Sequence, residues 1–182
     1  RQLVGELGQG GMGRVFEARR SDGHYEQRSA IKVLRGFSGE AALQQLAHER
    51  QVLATLNHPH IARLLDGGTT PGGSPYLVME HVHGVRIDEH VRQRGLSLEK
   101  VLELFLMVCD AVAYAHRHFV VHCDIKPGNV LVDDEGRAKL LDFGIAQLQG
   151  RAGSELQGLT PRYASPEQRA GAPATAASDI YS

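Results

Sequence analysis

His122-Cys123-Asp124-Ile125-Lys126-Pro127-Gly128-Asn129, followed at a distance by Asp142-Phe143-Gly144, is the stretch whose reading decides the fold of this chain. Asp124 can accept a proton. It stands five residues before the amide Asn129, and a second acid, Asp142, lies thirteen residues beyond that. The stretch follows directly on a long helical pattern, so a rigid element can aim the loop that carries Asp124.

That helical pattern is Leu98, Val101, Leu102, Phe105, Val108, Cys109, Val112 and Ala115. Apolar residues recurring every three or four positions predict a long, largely buried helix. On the other side of the stretch, short strands are expected near 130–132 and 138–141, flanking the turn Asp134-Glu135-Gly136. Residues 145–160 are polar, glycine-containing and without period, which reads as a mobile loop.

Further upstream the character changes. Residues 3–7, 14–20 and 29–34 read as strands, separated by a glycine turn and by a turn at Asp22-Gly23. Residues 40–56 take a helical period, with Leu43, Leu46, Ala47, Arg50 and Leu53 along one side. Asn57-His58-Pro59 should end that helix, because the residue before a proline is pushed out of the helical region. Two more strands are expected at 61–67 and 76–80. The fold expectation is α+β with two lobes: a strand-rich lobe with one main helix over 1–81, and a helix-rich lobe over 82–182. A ligand is expected in the cleft between them.

Composition sets bounds on function. A chain of 182 residues can bury a real core. Its 20 basic and 21 acidic residues nearly balance, so no field is expected that would hold nucleic acid or an anionic membrane. Cys109 and Cys123 make no disulfide framework and no zinc spacing, which fits a reducing, cytoplasmic setting. The longest apolar stretch, 101–115, is broken by Glu103 and Asp110 and is too short to span a bilayer. No signal peptide is visible. The chain opens inside a strand pattern and stops at Asp179-Ile180-Tyr181-Ser182 with no closing signal, the expectation for an excerpt of something longer.

Several residue sets carry chemistry. Gly8-Gln9-Gly10-Gly11-Met12-Gly13 sits between two strands, where glycines let the backbone bend tightly and approach phosphate oxygens. A glycine-rich hairpin with no ligand is the bland alternative. Lys32 alternates onto the same strand face as Ala30 and Leu34, and Glu49 lies on or beside the inward stripe of its helix. Two inward charges are costly unless they meet, and a buried pair adds little net stability. A Lys held by Glu to grip phosphates explains both; two snorkelling surface charges would be the structural alternative. Asp124 would orient an attacking hydroxyl and take its proton, with Lys126 reaching the transferring phosphoryl group. Asn129 and Asp142 offer the hard oxygen atoms that magnesium prefers. Asp133 and Asp134, beside Glu135-Gly136, read as a solvated turn. The set suits transfer of a phosphoryl group from a metal-bound nucleotide to an alcohol, where positioning and charge neutralisation are nearly everything.

Together these motifs resemble the protein kinases of the bacterial, eukaryotic-like serine/threonine type, in order and spacing from Gly8 to Ser182. The resemblance implies ATP and Mg2+ as cofactors and proteins with Ser or Thr acceptors as substrates, autophosphorylation included. It implies that Leu7, Gly8, Gly10, Gly13, Lys32 and Glu49 hold the nucleotide, and that Val15, Ala30 and Leu131 sandwich the adenine. Met79 would be the gatekeeper, with Glu80 and Val82 offering backbone groups to the base. Asp124, Lys126, Asn129 and Thr160 would be the catalytic set, with Asn129 and Asp142 on the metal. Leu53, His122 and Phe143 match a stacked hydrophobic spine, and Asp179 matches an aspartate that braces the catalytic loop. Lys126 with Thr160 fits Ser/Thr rather than Tyr specificity. Ala164-Ser165-Pro166-Glu167 ends the activation segment and separates the chain from small-molecule phosphotransferases.

The chain departs from the pattern at Cys123, where relatives commonly carry an arginine that pairs with a phosphate on the activation loop. A thiol offers neither the charge nor the fork. Loop phosphorylation, for example at Ser154, is therefore expected to be dispensable. The resemblance also implies an arginine partner for Glu167 in helices after Ser182. It leaves room for a homodimer through the strand-rich lobe and for a membrane anchor in the full-length protein. The competing expectations are a nucleotide-binding pseudokinase or scaffold, and an inactive fragment of a longer kinase.

Overall fold

The computed structural model describes residues 1–10, 13–21, 26–36, 40–143 and 161–182. The expected Asp22-Gly23 turn and the loop at 145–160, with Ser154 and Thr160, lie outside the described residues. The described chain forms two compact units, Arg1–Thr55 with Arg63–His81, and Leu56–Ala62 with the described residues from Val82 onward.

The first unit is a sheet with one helix. Strands β1 (Gln2–Gly10), β2 (Gly13–Arg19), β3 (Arg28–Leu34), β4 (Leu64–Thr69) and β5 (Pro75–Glu80) pair antiparallel in the order β1-β2-β3-β5-β4. Side chains alternate between faces, and directly paired residues share one. One face gathers Ala18, Ile31 and Val78, with Val33, Leu65 and Tyr76 packed against them. The other carries Val15, Lys32 and Leu77 in register, with Ala30 opposite Met79. β1 does not stop before the glycines. It runs through Gly8 to Gly10, which pairs with Gly13, and register shifts near Gly5 and Gly8 mark bulges.

Helix α1 (Glu40–Ala54) buries Leu46 and Leu53. Ala47, expected inward, is exposed. At 100° per residue it stands well round the helix from Leu46, and the inward stripe follows 43, 46, 50 and 53 instead. The helix also ends before the proline signal. Thr55 N–H bonds the Val52 carbonyl at 3.1 Å and the Thr55 hydroxyl donates to the same oxygen at 2.6 Å, tightening the last turn.

The strand expected at 61–67 begins only at Leu64. Ile61 makes a single parallel bridge to Leu140, Ala62 N–H donates to the Leu140 carbonyl, and Leu140 N–H donates to His60 O. With Asn57 N–H donating to the Tyr114 hydroxyl, these bonds tie Leu56–Ala62 to the second unit. Apolar alternation gives strand character but cannot say which sheet a residue joins.

The second unit contains β6 (Gly84–Arg86), α2 (Ile87–Arg94), α3 (Leu98–Arg117), β7 (Val130–Asp133), β8 (Ala138–Leu140) and the short helices α4 (Pro166–Arg169) and α5 (Ala176–Tyr181). β6, β7 and β8 form an antiparallel sheet. α3 starts on Ser97, whose hydroxyl accepts from Lys100 N–H. Its buried residues are Leu104, Ala111, Val112 and Ala115, while Leu98, Leu102, Phe105, Leu106 and Cys109 are exposed. The expected buried face is therefore only partly the observed one. α3 is apolar over much of its circumference, so periodicity alone leaves the inward side open. Packing against β8, where Ala138 N–H meets Met107 Sδ at 3.5 Å, selects it.

Candidate active site

The first unit positions its candidate residues by strand register. Val15 lies opposite Lys32, Glu17 opposite Ala30, and Ala30 opposite Met79. Val15, Ala30 and Met79 are half-buried, while Lys32 is only 4% exposed. Lys32 stands in a largely apolar face and is engaged there rather than free. Glu49, half-buried on α1, is likewise engaged.

The glycines differ in what demands them. A Cβ on Gly13, where φ is 143°, would come within 2.0 Å of the Val33 carbonyl oxygen, so the sheet itself requires glycine there. A Cβ on Gly8 or Gly10 would meet nothing within 4 Å. Their missing side chains leave open space beside the strand, as close approach of a phosphate chain needs. Leu7 is exposed next to them. Glu80 is half-buried, and its N–H donates to the Arg63 carbonyl at 2.8 Å. That N–H is committed to the sheet, so the backbone group Glu80 could offer a base is its carbonyl.

In the second unit, Val82 and Leu131 are half-buried, Leu131 pairing with Arg86 and Lys139. The loop between α3 and β7 carries the densest polar set. Asp124, its side chain 9% exposed, takes Lys126 Nζ on Oδ2 at 2.6 Å. Asn129 Nδ2 donates to the same Oδ2 at 3.0 Å and to the Asp124 carbonyl at 2.7 Å. These three catalytic candidates meet in space. Thr160 lies outside the described residues.

His122, fully buried, organises the loop. Its Nε2 donates to the Leu141 carbonyl at 2.7 Å and its Nδ1 accepts from Asp124 N–H at 3.2 Å, a pattern only neutral imidazole can make. Burial pushes its pKa below the usual histidine range, against the pull of Asp179. The Phe143 ring packs on it at 4.7 Å between centroids. Leu53, the third expected spine residue, is buried in the first unit. Asp179 on α5 accepts from His122 N–H and Cys123 N–H at 2.8 Å each, and from His116 Nε2 at 2.8 Å.

The cation candidates are drawn together by the backbone. Leu141 N–H donates to the Asn129 carbonyl at 2.8 Å, which sets Asn129 beside the residue preceding Asp142. Asp142 takes a left-handed φ of 59°. Because both Nδ2 bonds of Asn129 go to Asp124, its Oδ1 is the atom that can face a cation. Among the described residues no group of three or more His, Cys, Asp or Glu could hold a metal. One carboxylate and one amide oxygen suit magnesium that keeps water and substrate phosphates in its shell, rather than an all-protein cage.

The whole chain, residues 1–182, matches the family model described as the protein kinase domain. This chain is a member of the protein kinase family. It is 38% identical over 95% of its length to the serine/threonine-protein kinase PknA of Mycobacterium tuberculosis (strain ATCC 25618 / H37Rv). It is 36% identical over its full length to the serine/threonine-protein kinase PknB of Mycolicibacterium smegmatis. The chain spans 42% of that PknA and 31% of that PknB. The fold is shared with the crystal structure of the PknI kinase domain of M. tuberculosis, at a TM-score of 0.74 and 29% identity, covering 97% of this chain and 66% of that one. No helix of the described residues is long and apolar enough to cross a membrane.

Reading the kinase chain residue by residue misses one side chain at this site. Gln168, 6% exposed, donates from Nε2 to the Cys123 carbonyl at 2.7 Å and accepts Ser165 N–H on Oε1 at 3.0 Å. The signal was present as Ser165-x-x-Gln168, a helix-capping pair that α4 does adopt. Glu167, expected to await an arginine, accepts from the Ser178 hydroxyl at 2.5 Å, which holds its carboxyl below the usual range.

Proposed function

We propose that the protein carrying this chain is an ATP-dependent serine/threonine protein kinase that works in the cytoplasm. Its substrates would be proteins with Ser or Thr acceptors, a second copy of itself among them. The lobe boundary near residue 81 and the site assignments belong to this reading. The observation that carries it is the grouping of Asp124, Lys126 and Asn129.

Oδ2 of Asp124 holds both neighbours, which leaves Oδ1 for an incoming hydroxyl. The hydroxyl oxygen forms a bond to the γ-phosphorus, the bond to the bridging oxygen breaks, ADP departs, and the hydroxyl proton passes to Asp124. Lys126 offsets charge on the moving phosphoryl group. Asn129 steadies the Asp124 carboxylate and its own backbone, and with Asp142 it would hold magnesium. When bound, that ion neutralises charge on the phosphate oxygens. In the first unit, Gly8 and Gly10 leave space for the phosphates, Lys32 with Glu49 grips them, and Val15, Ala30 and Met79 shape the base side.

The test compares full-length wild type with Asp124→Asn under labelled ATP and magnesium. Wild type incorporates label on Ser or Thr. The variant falls by about 10²–10⁴-fold while nucleotide affinity stays within about twofold. Equal incorporation by both proteins would overturn the role of Asp124.

A further inference from the structure

We propose that Gln168 is a positioning residue that locks the Cys123–Asp124 peptide and so aims Asp124, tying the 161–169 segment to the catalytic loop through neutral hydrogen bonds. The proposal rests on the kinase reading for its catalytic consequence.

Cys123 has a left-handed φ of 70°, a conformation that side chains other than glycine adopt only at a cost. Something must hold it. Its N–H is held by Asp179 Oδ1. Its carbonyl and the Asp124 N–H belong to one peptide plane, and both ends of that plane are bound: the oxygen by Gln168 Nε2 at 2.7 Å, the N–H by His122 Nδ1 at 3.2 Å. The plane cannot turn without breaking both bonds. Its orientation sets φ of Asp124, and hence where that carboxylate points.

Capping alone does not explain Gln168. The cap uses Oε1, which accepts from Ser165 N–H, and leaves Nε2 to find its own partner. Only a side chain offering a donor and an acceptor together satisfies both contacts, and the two partners fix which end of the amide is which. The tie runs from a neutral side-chain amide to the backbone carbonyl of Cys123, so it works without a phosphate. It gives a physical basis for activity that does not wait on loop modification.

The experiment uses the full-length protein, with turnover normalised to sites that bind nucleotide. Gln168→Met removes both contacts and is expected to lower kcat about tenfold with KM for ATP within about twofold. Gln168→Glu keeps the acceptor for Ser165 but sets a carboxylate against the Cys123 carbonyl. At pH 8 it should behave as Gln168→Met. At pH 6, as the carboxyl takes a proton and can donate again, its kcat relative to wild type should recover by about fivefold or more. A kcat within twofold of wild type in Gln168→Met, or a flat ratio for Gln168→Glu between pH 6 and 8, overturns the proposal. If Gln168→Met does not fold, Gln168→Glu carries the test alone. If wild type transfers no phosphate, the kinase reading fails by itself, and amide exchange decides the proposal. The 122–124 amides must then exchange about tenfold faster in either Gln168 variant at pH 8, with α3 unchanged. Unchanged protection overturns it.

Discussion

In the five-stranded sheet, Val15, Lys32, Ala30 and Met79 share a face because paired strands repeat every two residues; in the loop from His122 to Asn129, each group is set by its own hydrogen bond. The sheet positions by repetition, and many ladder bonds share the work. The loop has no ladder. Asp179, Gln168 and the neutral His122 ring stand in for one, each meeting backbone groups that would otherwise be buried without partners. The difference teaches where substitutions act: in the loop through single side chains, in the sheet through backbone space.

The sharpest way to break that contrast is Asp179→Ala. It strips two buried N–H groups of their acceptor, and the unfolding free energy in urea should fall by about 3–5 kcal/mol. A loss under about 1 kcal/mol would show that the loop holds itself. Next comes a paired test within the sheet. Gly13→Ala should cost about 2 kcal/mol or more, since its Cβ would press on the Val33 carbonyl. Gly8→Ala should cost less than about 0.5 kcal/mol yet weaken ATP binding severalfold, as read by titration calorimetry. Equal stability losses for the two would erase the distinction between a glycine the sheet requires and one that leaves room for a ligand.

The smallest effect concerns pH. Burial lowers the pKa of His122 and of His58 in the folded protein. The unfolded chain then takes up protons as pH falls below about 6.5, while the native protein does not, so stability is full above that value and declines below it. Melting temperature should drop between pH 7.5 and 5.5, and His122→Gln should flatten part of that slope. A slope unchanged in the variant would remove His122 from the account.

Much of this was legible in the residues. The strands of the sheet, α1, α3, β7 and β8 all announce themselves by period, and the candidate residues by type and spacing. Less legible were contacts between distant parts of the chain. Ala47 and the outer residues of α3 read as inward because an apolar residue carries no label for which neighbour will cover it. Ile61 reads as part of the strand that continues into β4, but it bridges Leu140 within the second unit.

What the sequence by itself determined is the set of candidates: Asp124, Lys126, Asn129 and Asp142 can be read as a proposed phosphoryl-transfer set because side-chain type and local spacing are properties of the chain alone. Only the tertiary structure decided how that set is held. The bonds from Asp179, 56 residues away, and from Gln168, 45 residues away, fix the peptides around Cys123. Such partners are chosen by which buried backbone groups lack one after the chain has folded, and no local pattern encodes that.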